Sequence, residues 1–353
     1  MTMPTTTENH DASNGDNDNV DRTRDRPELP SSDGRPVVIT GAAGFIGHHT
    51  ARLLLERGHP VIGVDSFTPY YDRAIKEQNL ARLNDDPNFT FVEAGAGDAS
   101  VGALMPGSRA VIHLAAQPGV RDSWRDFDLY VDLNVRATKD LLDAARAAEV
   151  PRVVVASSSS VYGDAPSYPT SERDLTEPRS PYGITKLATE RLAVAYAHEL
   201  GVPTVSMRYF TVYGPGQRPD MAIHRLIAAA DAGDTFPLYG DGSAIRDFTY
   251  VGDVAMANCL AALLPDIEPG LVLNVCSESP VTLRDVIEAV EEATGSPVAL
   301  DRQAVSVGDV PRTGGSADLI ERTLGWKPRF ALHDGIAAQV AEHRRRMQEL
   351  MHA

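Results

Sequence analysis

The sequence predicts an α/β fold in which a doubly wound parallel sheet is followed by a smaller α/β lobe. Short apolar runs rich in Val and Ile alternate with longer helical patterns through the first two thirds of the chain. A glycine-rich turn follows the first of these runs, as expected where a strand leads into a helix. Beyond Arg208 the alternation breaks into shorter segments separated by Gly and Pro. Regular alternation of strands and helices indicates a parallel sheet with helices on both faces.

The individual elements can be placed in chain order from these patterns. The predicted strands of the sheet are Val37–Thr40, Val61–Asp65, Phe89–Glu93, Ala110–Leu114, Val153–Ser157 and Thr204–Met207. The predicted helices between them are Phe45–Arg57, Arg73–Leu83, Leu129–Ala148 and Tyr182–Leu200. Further on, a strand is expected at Leu271–Cys276, and a helix at Thr282–Thr294 after a Ser-Pro start.

Composition divides the chain into three parts. Residues 1–34 are rich in Asp, Asn, Thr and Arg and are expected to form a disordered leader. Residues 35–207 should form the sheet domain, with a return of the chain near 250–276 that completes the sheet. Residues 208–345 should mainly form the second lobe, which closes over the carboxyl ends of the strands, where open α/β sheets bind ligands.

Charge and cysteine content exclude several classes of protein. The 353 residues carry a formal net charge of −16, which argues against binding to nucleic acid or to an anionic membrane surface. Cys259 and Cys276 lie in apolar contexts and should be free thiols, so a cytosolic location is expected. No apolar run approaches the ~18 residues of a membrane span, and no metal site is predicted.

The glycine-rich turn has the spacing of a dinucleotide-binding site. Gly41 permits a tight turn, Gly44 lets backbone approach phosphates, and Gly47 lets the helix pack against the strand. The helix N-terminus would then offer free N–H groups to a pyrophosphate. Asp65 ends the next strand, where a carboxylate accepts hydrogen bonds from the adenosine ribose. This context predicts a Rossmann-type domain, and NAD is favoured over NADP because no arginine directly follows Asp65.

Other candidate cofactor contacts lie within the turn, at the ends of later strands, or at the start of the next helix. Asp98 could meet the adenine, and the small side chains of Ala115 and Ala116 leave room beside the cofactor. Each of these residues taken alone is as compatible with a role in the scaffold. The full candidate set beyond the three glycines and Asp65 is Phe45, Ile46, Asp98, Ala115, Ala116, Asn134, Tyr182, Lys186 and Tyr209.

A second motif indicates acid–base chemistry. Tyr182 and Lys186 are at positions i and i+4, so they share one face of a helix. A tyrosine with its usual pKa near 10 is a poor base, and we expect the lysine ammonium and a positive nicotinamide to lower that pKa. The run Ser157–Ser160 supplies hydroxyls at the end of a strand. Tyr-x-x-x-Lys often occurs by chance, but together with a dinucleotide site it predicts oxidation of a secondary alcohol.

At these residues the chain resembles the extended short-chain dehydrogenase/reductase superfamily, over nearly all of residues 35–345, and within it the nucleotide-sugar epimerases. The resemblance implies a catalytic triad of Ser158, Tyr182 and Lys186. It also implies a homodimer that pairs the helices Leu129–Ala148 and Tyr182–Leu200. Three arginines are candidate clamps for the diphosphate of a UDP-sugar: Arg218, Arg246 and Arg312.

The serine run distinguishes between reactions that this superfamily performs. Relatives that eliminate water carry an Asp-Glu pair where this chain has Ser159 and Ser160. Decarboxylases of UDP-glucuronate usually carry a glutamate at the position of Ser160. A 4-epimerase needs no further acid or base, because the 4-keto sugar turns in the site and receives the hydride on its other face. The absence of carboxylates here therefore favours 4-epimerisation.

The choice of sugar depends on a smaller set of residues. The stretch Asp65–Asp72, the stretch Gln117–Arg121 and Thr211 look like UDP-glucuronate 4-epimerases, although Pro118 departs from the alanine expected there. A cluster of hydroxyls could hold the C6 carboxylate and keep the C5–C6 bond near the plane of the keto group, which hinders loss of CO₂. UDP-glucose 4-epimerase remains the alternative, and a decarboxylase or a non-catalytic NAD sensor is less favoured. The candidate sugar contacts are Gln117, Ser158, Ser159, Ser160 and Thr211.

Overall fold

The computed structural model describes residues 28–304 and 310–352. The strands are β1 Val37–Thr40, β2 Val61–Asp65, β3 Phe89–Glu93, β4 Ala110–His113, β5 Val153–Ser158, β6 Thr204–Tyr209, β7 Thr211–Tyr213, β8 Thr235–Tyr239, β9 Ile245–Arg246, β10 Phe248–Tyr250, β11 Leu271–Val275, β12 Val281–Thr282 and β13 Ala299–Gln303. The α-helices are α1 Phe45–Glu56, α2 Arg73–Asn84, α3 Ala99–Gly102, α4 Phe127–Tyr130, α5 Ala137–Ala147, α6 Pro181–Leu200, α7 Ala222–Ala232, α8 Val251–Leu263, α9 Leu283–Thr294, α10 Asp318–Leu324 and α11 Leu332–His352.

The central sheet has seven parallel strands in the order β11-β6-β5-β4-β1-β2-β3. Each strand has four to six residues. Four of them are buried throughout, as strands covered by helices on both faces must be, namely β1, β4, β5 and β6. The predicted doubly wound parallel sheet is therefore confirmed. The predicted return of the chain to the sheet is present as β11, which pairs with β6.

The strand order reverses at β1. From β1 the chain proceeds to β2 and β3 on one side, and then returns to β4 on the other side. The loops that follow β1 and β4 therefore diverge at the same edge of the sheet and leave a crevice between them. They touch at its base, where a Cβ on Gly41 would lie 2.8 Å from the backbone nitrogen of Ala115.

Most predicted elements start and end within one or two residues of their observed bounds, with two informative differences. The strand β6 continues to Tyr209, so the expected domain boundary after residue 207 falls inside a strand. The single helix expected over Leu129–Ala148 is built from α4, a π-helical turn at Val131–Arg136 and α5. Apolar periodicity does not reveal such a turn, because a π-turn changes backbone pairing within a continuous helix.

The second region begins just beyond the carboxyl end of β6. Three two-stranded sheets, β7 with β10, β9 with β12, and β8 with β13, accompany helices α7, α9 and α11. Their apolar faces form a separate core that includes Ile223, Leu226, Val286, Val290 and Ile336. Between these elements α8 returns to the main sheet and packs against α1. This arrangement sets the second core beside the edge of the sheet where the crevice opens.

Other expectations concern the leader and the cysteines. Residues 1–27 lie outside the described range, and of the expected leader only residues 28–34 are described. The carbonyl of Pro30 is 3.0 Å from Nε2 of His59, and Leu29 packs against the main core.

Cys259 and Cys276 are free and buried, as expected. Within the described residues, no helix is long and apolar enough to cross a membrane, and no cluster of His, Cys, Asp or Glu is placed to hold a metal ion.

Candidate active site

The glycine turn after β1 adopts the geometry that its sequence requires. Gly41 has φ +73°, a conformation that side chains rarely allow. A Cβ on Gly47 would overlap the carbonyl oxygen of Gly41, so this position needs glycine for α1 to pack on the turn. Gly44 is the N-cap of α1, and no side chain caps the helix. The first amide groups of α1 are therefore available to an anion in the crevice.

A cavity of about 200 Å³ follows this turn along the edge of the sheet. It is lined by nearly every residue that the sequence suggested for the cofactor. These residues come from the ends of four strands and from α1 and α6. Those predicted residues are Gly41, Gly44, Phe45, Ile46, Gly47, Asp65, Ala115, Ala116, Tyr182, Lys186 and Tyr209, and one predicted substrate residue, Arg218, joins them.

Two predicted cofactor residues do not line this cavity: Asp98 is exposed, and Asn134 is buried. The carboxylate of Asp98 accepts a 2.7 Å hydrogen bond from the backbone N–H of Gly95, and Gly95 itself lines the cavity. The amide of Asn134 binds the backbone N–H and C=O of Gln117 at 2.7 and 3.1 Å, and the hydroxyl of Thr185 at 3.1 Å. Both side chains therefore brace segments of the site, and through Asn134 the buried Gln117 is held in place.

Asp65 has a partner that the sequence did not suggest. Its Oδ1 accepts hydrogen bonds from the backbone N–H of Phe67 at 2.8 Å and from Nζ of Lys76 at 3.3 Å. Both side chains of the ion pair are buried, with exposures of 7% for Lys76 and 8% for Asp65. Lys76 also lines the cavity. In the sequence, the only indication that Lys76 pairs with Asp65 is its position on the helix that follows β2.

The catalytic candidates meet where α6 approaches the end of β5. Ser180 caps α6 by accepting a 3.1 Å hydrogen bond from the N–H of Gly183, and Tyr182 follows within the first turn. The hydroxyl of Ser158 lies close enough to Tyr182 to act on the pKa of the phenol, and it donates to the hydroxyl of Ser160 at 3.1 Å. The predicted triad of Ser158, Tyr182 and Lys186 is thus assembled by one strand end and one helix.

The electrostatics of this pair correct one expectation. Burial raises the pKa of Tyr182, although the charge of Arg218 and the hydroxyl of Ser158 act in the opposite direction. In the protein chain by itself, to which no nicotinamide charge contributes, the expected lowering is absent, because desolvation penalises the phenolate more than its neighbours favour it. Burial also lowers the pKa of Lys186 to about 8, against the attraction of Glu190.

A buried ionic network lies behind the triad. Nη2 of Arg208 is 2.7 Å from Oε1 of Glu190, and the two side chains are 2% and 0% exposed. Glu190 also accepts a 2.8 Å hydrogen bond from Ser157, and Arg208 donates to the hydroxyl of Tyr162 at 2.6 Å. Because Glu190 lies one turn beyond Lys186 on α6, this network anchors the catalytic helix to β5 and β6.

A second cavity, of about 240 Å³, lies beside the serine run. It contains four predicted substrate residues, namely Ser159, Ser160, Thr211 and Arg246. Two arginines that the sequence reasoning did not select also line it, Arg121 and Arg179. The Arg121 guanidinium lies 3.9 Å from the centre of the Tyr239 ring, and Arg179 pairs with Asp164 at 3.2 Å. In the sequence, the only indication that Arg121 belongs to the site is its position at the end of the Gln117–Arg121 stretch.

The three arginines proposed for a diphosphate are placed differently. Arg218 lines the first cavity and donates to both oxygens of Asp220 at 2.9 and 3.0 Å. Arg246 lines the second cavity. Arg312 lines neither of these two cavities, and its guanidinium lies 4.6 Å from the centre of the Tyr168 ring. The structure thus brings two of the three to the site.

The parallel sheet, the glycine cradle and the Ser-Tyr-Lys triad define a member of the extended short-chain dehydrogenase/reductase superfamily. Within it, the chain belongs to the NAD dependent epimerase/dehydratase family, whose sequence model matches residues 37–276. NAD is therefore the cofactor, and the first cavity fits it. The uncapped N-terminus of α1 at Gly44 would hold the pyrophosphate, and the carboxylate of Asp65, at the end of β2, would accept hydrogen bonds from the ribose.

Similar proteins include characterised complexes with sugar nucleotides. A probable UDP-glucuronate 4-epimerase of Rhizobium meliloti (strain 1021) is 38% identical, over 85% of this chain and 94% of the relative. The UDP-glucuronic acid 4-epimerase from Bacillus cereus, solved with UDP-glucuronic acid and NAD, is 34% identical with a TM-score of 0.85, over 88% of this chain and 99% of that one. MoeE5, solved with UDP-glucuronic acid and NAD and also with UDP-glucose and NAD, is 40% identical with a TM-score of 0.80, over 88% and 99%.

Proposed function

We propose that this protein is an NAD-dependent 4-epimerase that interconverts UDP-glucuronate and UDP-galacturonate. The observation that carries the proposal is the second cavity, in which the hydroxyls of Ser159, Ser160 and Thr211 lie beside the catalytic triad. None of the described residues that line this cavity is acidic. Among the lining residues that the structure describes, elimination of water, which needs a second carboxylate, therefore has no candidate acid or base.

The triad moves the proton of the C4 hydroxyl. Tyr182 takes that proton in its phenolate form, which the positive charges of Lys186 and of bound NAD would favour, as the C4–H bond breaks. Ser158 hydrogen-bonds the same oxygen, so no protonated ketone forms. When bound, NAD accepts the hydride from C4 and returns it. Tyr182 then gives the proton back to O4 once the 4-keto sugar has turned its other face. Lys186 supplies positive charge near Tyr182, and the Glu190–Arg208 network keeps the helix that carries both residues in place.

The hydroxyls of the second cavity suit a carboxylate at C6. Three short side chains can each donate a hydrogen bond to it, and hydrogen bonds to a charged group are the stronger ones. Arg121 and Arg179 add positive charge to the same cavity. A carboxylate gripped in this way keeps the C5–C6 bond of the 4-keto intermediate near the carbonyl plane, which hinders loss of CO₂.

The diphosphate of UDP is assigned to Arg218 and Arg246. Arg218 lines the first cavity and Arg246 the second, and a planar guanidinium can form two parallel hydrogen bonds to phosphate oxygens. Asp220 holds this guanidinium through the same two-pronged geometry. Arg312 stacks on Tyr168, so its participation requires that the guanidinium leave the ring.

UDP-glucose is the second candidate substrate. It is favoured by MoeE5, which has been solved with either UDP-glucuronic acid or UDP-glucose. A purely NAD-binding role is disfavoured because Tyr182 and Lys186 are both present and both line the first cavity, close to Ser158. The decisive test is incubation of the purified protein with each sugar nucleotide, followed by chromatography. Formation of UDP-galacturonate from UDP-glucuronate is expected, and turnover of UDP-glucose alone would overturn the substrate assignment.

We also propose that the protein is a cytosolic homodimer assembled through the helical segments around α5 and α6. Apolar side chains are exposed on this side of the molecule, with Phe127 at 44%, Leu129 at 37% and Ile184 at 50%. Their burial in a second copy would remove apolar surface from water. Sedimentation equilibrium should give twice the monomer mass, and Ile184→Glu should shift the equilibrium toward the monomer.

A further inference from the structure

The C-terminal helix α11 touches both sides of the active site. It packs in the second core through Ile336 and Val340. Arg344 ties it to the neighbouring helices, with Nη2 donating to Asp231 at 2.6 Å and to the carbonyl of Thr294 at 2.8 Å. The helix is therefore a fixed part of the second region. Its polar residues beyond that core contact the site at two separate points.

The first point is the segment that carries Arg218. Gln339 accepts a 2.9 Å hydrogen bond from the N–H of Gly214 and donates to Oε1 of Gln217 at 2.9 Å. Gln217 in turn donates to the carbonyl of Val212 at 3.1 Å. Both glutamine side chains are buried, and Arg218 follows Gln217 directly. Gln339 therefore fixes the backbone of residues 212–218 through bonds that water cannot easily replace.

The second point is the glycine turn. Nη2 of Arg346 donates to Oδ1 of Asn79 at 2.8 Å, and Nδ2 of Asn79 donates to the carbonyl of Ala43 at 2.9 Å. Ala43 lies between Gly41 and Gly44 in the cradle for the pyrophosphate. Asn79 is 1% exposed, so its two bonds form a buried link from α11 to the cradle.

These two points lie on one face of the helix. Gln339 and Arg346 are about two helical turns apart, a spacing that returns side chains to the same side. Glu342 lies between them and accepts a 2.7 Å hydrogen bond from Nε of Arg346. One rigid element therefore holds the cofactor cradle and the Arg218 segment at the same time.

We propose that Gln339 and Arg346 are positioning residues through which α11 couples retention of NAD to occupancy of the UDP site. Bound UDP orders the segment that carries Arg218, and Gln339 passes this constraint on to α11. Arg346 then passes it from α11 to the glycine turn through Asn79. By linkage, NAD then binds more tightly while UDP is bound. Because bound UDP holds the cradle in place, we expect the tighter binding to appear as slower release of NAD. The coupling to UDP rests on the proposed function, because it assumes that Arg218 holds the diphosphate.

A more direct contact offers an alternative route between the same segments. Nε2 of His49 on α1 lies 2.8 Å from the carbonyl of Pro215. If this contact alone transmitted the effect, changes on α11 would leave the coupling intact. Variants of Gln339 and Arg346 therefore separate the two routes.

The test is the rate at which the holoenzyme exchanges its NAD for radiolabelled NAD, with and without UDP. Arg346→Met should exchange NAD about 5- to 20-fold faster than wild type, since a charge-assisted bond that positions the cradle is lost. Arg345→Met is the matched control, because Arg345 also binds Glu342, at 2.7 Å, but lies 44% exposed on the same helix. It should exchange NAD at the wild-type rate. Arg346→Lys should recover part of the slow exchange, which simple loss of helix stability would not allow.

The second arm measures the effect of UDP. Saturating UDP should slow NAD exchange about fivefold or more in wild type and in Arg345→Met, and much less in Arg346→Met. Gln339→Met should weaken UDP binding and lose the same response, while its NAD exchange without UDP stays near that of wild type. If Arg346→Met folds poorly, Asn79→Ser removes the same link from the other side.

Equal NAD exchange in Arg346→Met and Arg345→Met would overturn the positioning role. Unchanged slowing by UDP in Gln339→Met and Arg346→Met would overturn the coupling and leave the His49 route. Neither readout uses turnover of a sugar. A protein that fails to epimerise UDP-glucuronate but shows these exchange rates would therefore refute the proposed substrate and leave this inference standing.

Discussion

Gly183 lies directly against the serine run: a Cβ on this residue would come within 2.8 Å of the carbonyl oxygen of Ser160. This approach brings the first turn of α6 to the end of β5, and it places Tyr182 within hydrogen-bonding reach of Ser158. The glycine inside Tyr-Gly-x-x-Lys is thus required by the distance between two elements and not by an unusual backbone angle.

Gly183→Ala should therefore separate the triad without removing any of its side chains. The helix must move away from Ser160 by several tenths of an ångström, and kcat should fall about 10- to 100-fold because a misplaced acid–base pair transfers protons poorly. NAD content should stay near that of wild type. Steady-state kinetics give the comparison, with Glu199→Ala, at an exposed position in the last turn of α6, as the control for effects on the helix alone. A variant with full kcat would show that the close approach does not matter for catalysis.

The purified protein should already contain about one NAD per chain. The cradle is complete, and the proposed reaction regenerates NAD in each turnover, so little added cofactor is needed. Denaturation followed by an enzymatic assay of the supernatant measures the released nucleotide. Full activity in a preparation that contains no nucleotide would contradict this expectation.

Tyr182→Phe should keep the fold and the bound NAD but lose about 10²- to 10⁴-fold in turnover, the usual contribution of a positioned acid–base group. Only the phenolic oxygen is removed, and Lys186 remains. Tyr196→Phe is the matched control on the same helix, because its hydroxyl donates to the exposed Asp143 at 2.7 Å, away from the site. A loss of less than tenfold would mean that another residue moves the proton.

Thr211→Ala should weaken binding of UDP-glucuronate and divert part of the 4-keto intermediate to a UDP-pentose. One hydrogen bond to the carboxylate is lost, which is worth about 1.5–3 kcal/mol. The freed C5–C6 bond can then align for loss of CO₂, and mass spectrometry detects the lighter product. Thr235→Ala, at an exposed position of β8, is the control. Wild-type affinity without any pentose would rule out the carboxylate grip.

Lys186→Met should stabilise the cofactor-free protein in a manner that depends on pH. Burial lowers the pKa of Lys186 from 10.5 to about 8 in the folded protein. On folding, the lysine must therefore either release its proton or be buried as a desolvated ammonium. The resulting penalty is complete below pH 8 and disappears as the pH rises toward 10.5. Its removal should raise the free energy of unfolding by about 2–3 kcal/mol at pH 7 and by about half as much at pH 9.5.

Urea unfolding at the two pH values measures this difference. Lys139→Met serves as the control, because Lys139 is half exposed and lies on α5 away from the triad. It should change stability little at pH 7. If the increase in the free energy of unfolding of Lys186→Met does not shrink with rising pH, the desolvation penalty of the Lys186 ammonium is not the cause of that increase.

The sequence by itself determined the features that depend on short separations along the chain. The turn from Gly41 to Gly47 and the pair of Tyr182 with Lys186 each lie within one strand–helix junction or one helix. Their spacing therefore already specifies their geometry, and the structure places both as expected. The alternation of elements likewise determined the parallel sheet, since each strand is a buried apolar run that cannot face water.

Only the tertiary structure decided which distant side chains meet, and how burial changes their chemistry. Arg121 and Arg179 join Thr211 in one cavity although they come from three separate segments. Asn134 binds the backbone N–H and C=O of Gln117, because buried groups of this kind require partners. Both this contact and the meeting of the two arginines with Thr211 depend on packing between segments that are separated in sequence.

The charge states of the triad show the same division. Tyr-x-x-x-Lys specifies that a phenol and an ammonium lie on one helix face, and the ammonium together with a positive nicotinamide was expected to lower the pKa of Tyr182. The structure encloses both groups, and burial instead raises the pKa of Tyr182 and lowers that of Lys186 to about 8. Desolvation depends on everything that surrounds a group in three dimensions, so the motif could specify the pair but not its ionisation.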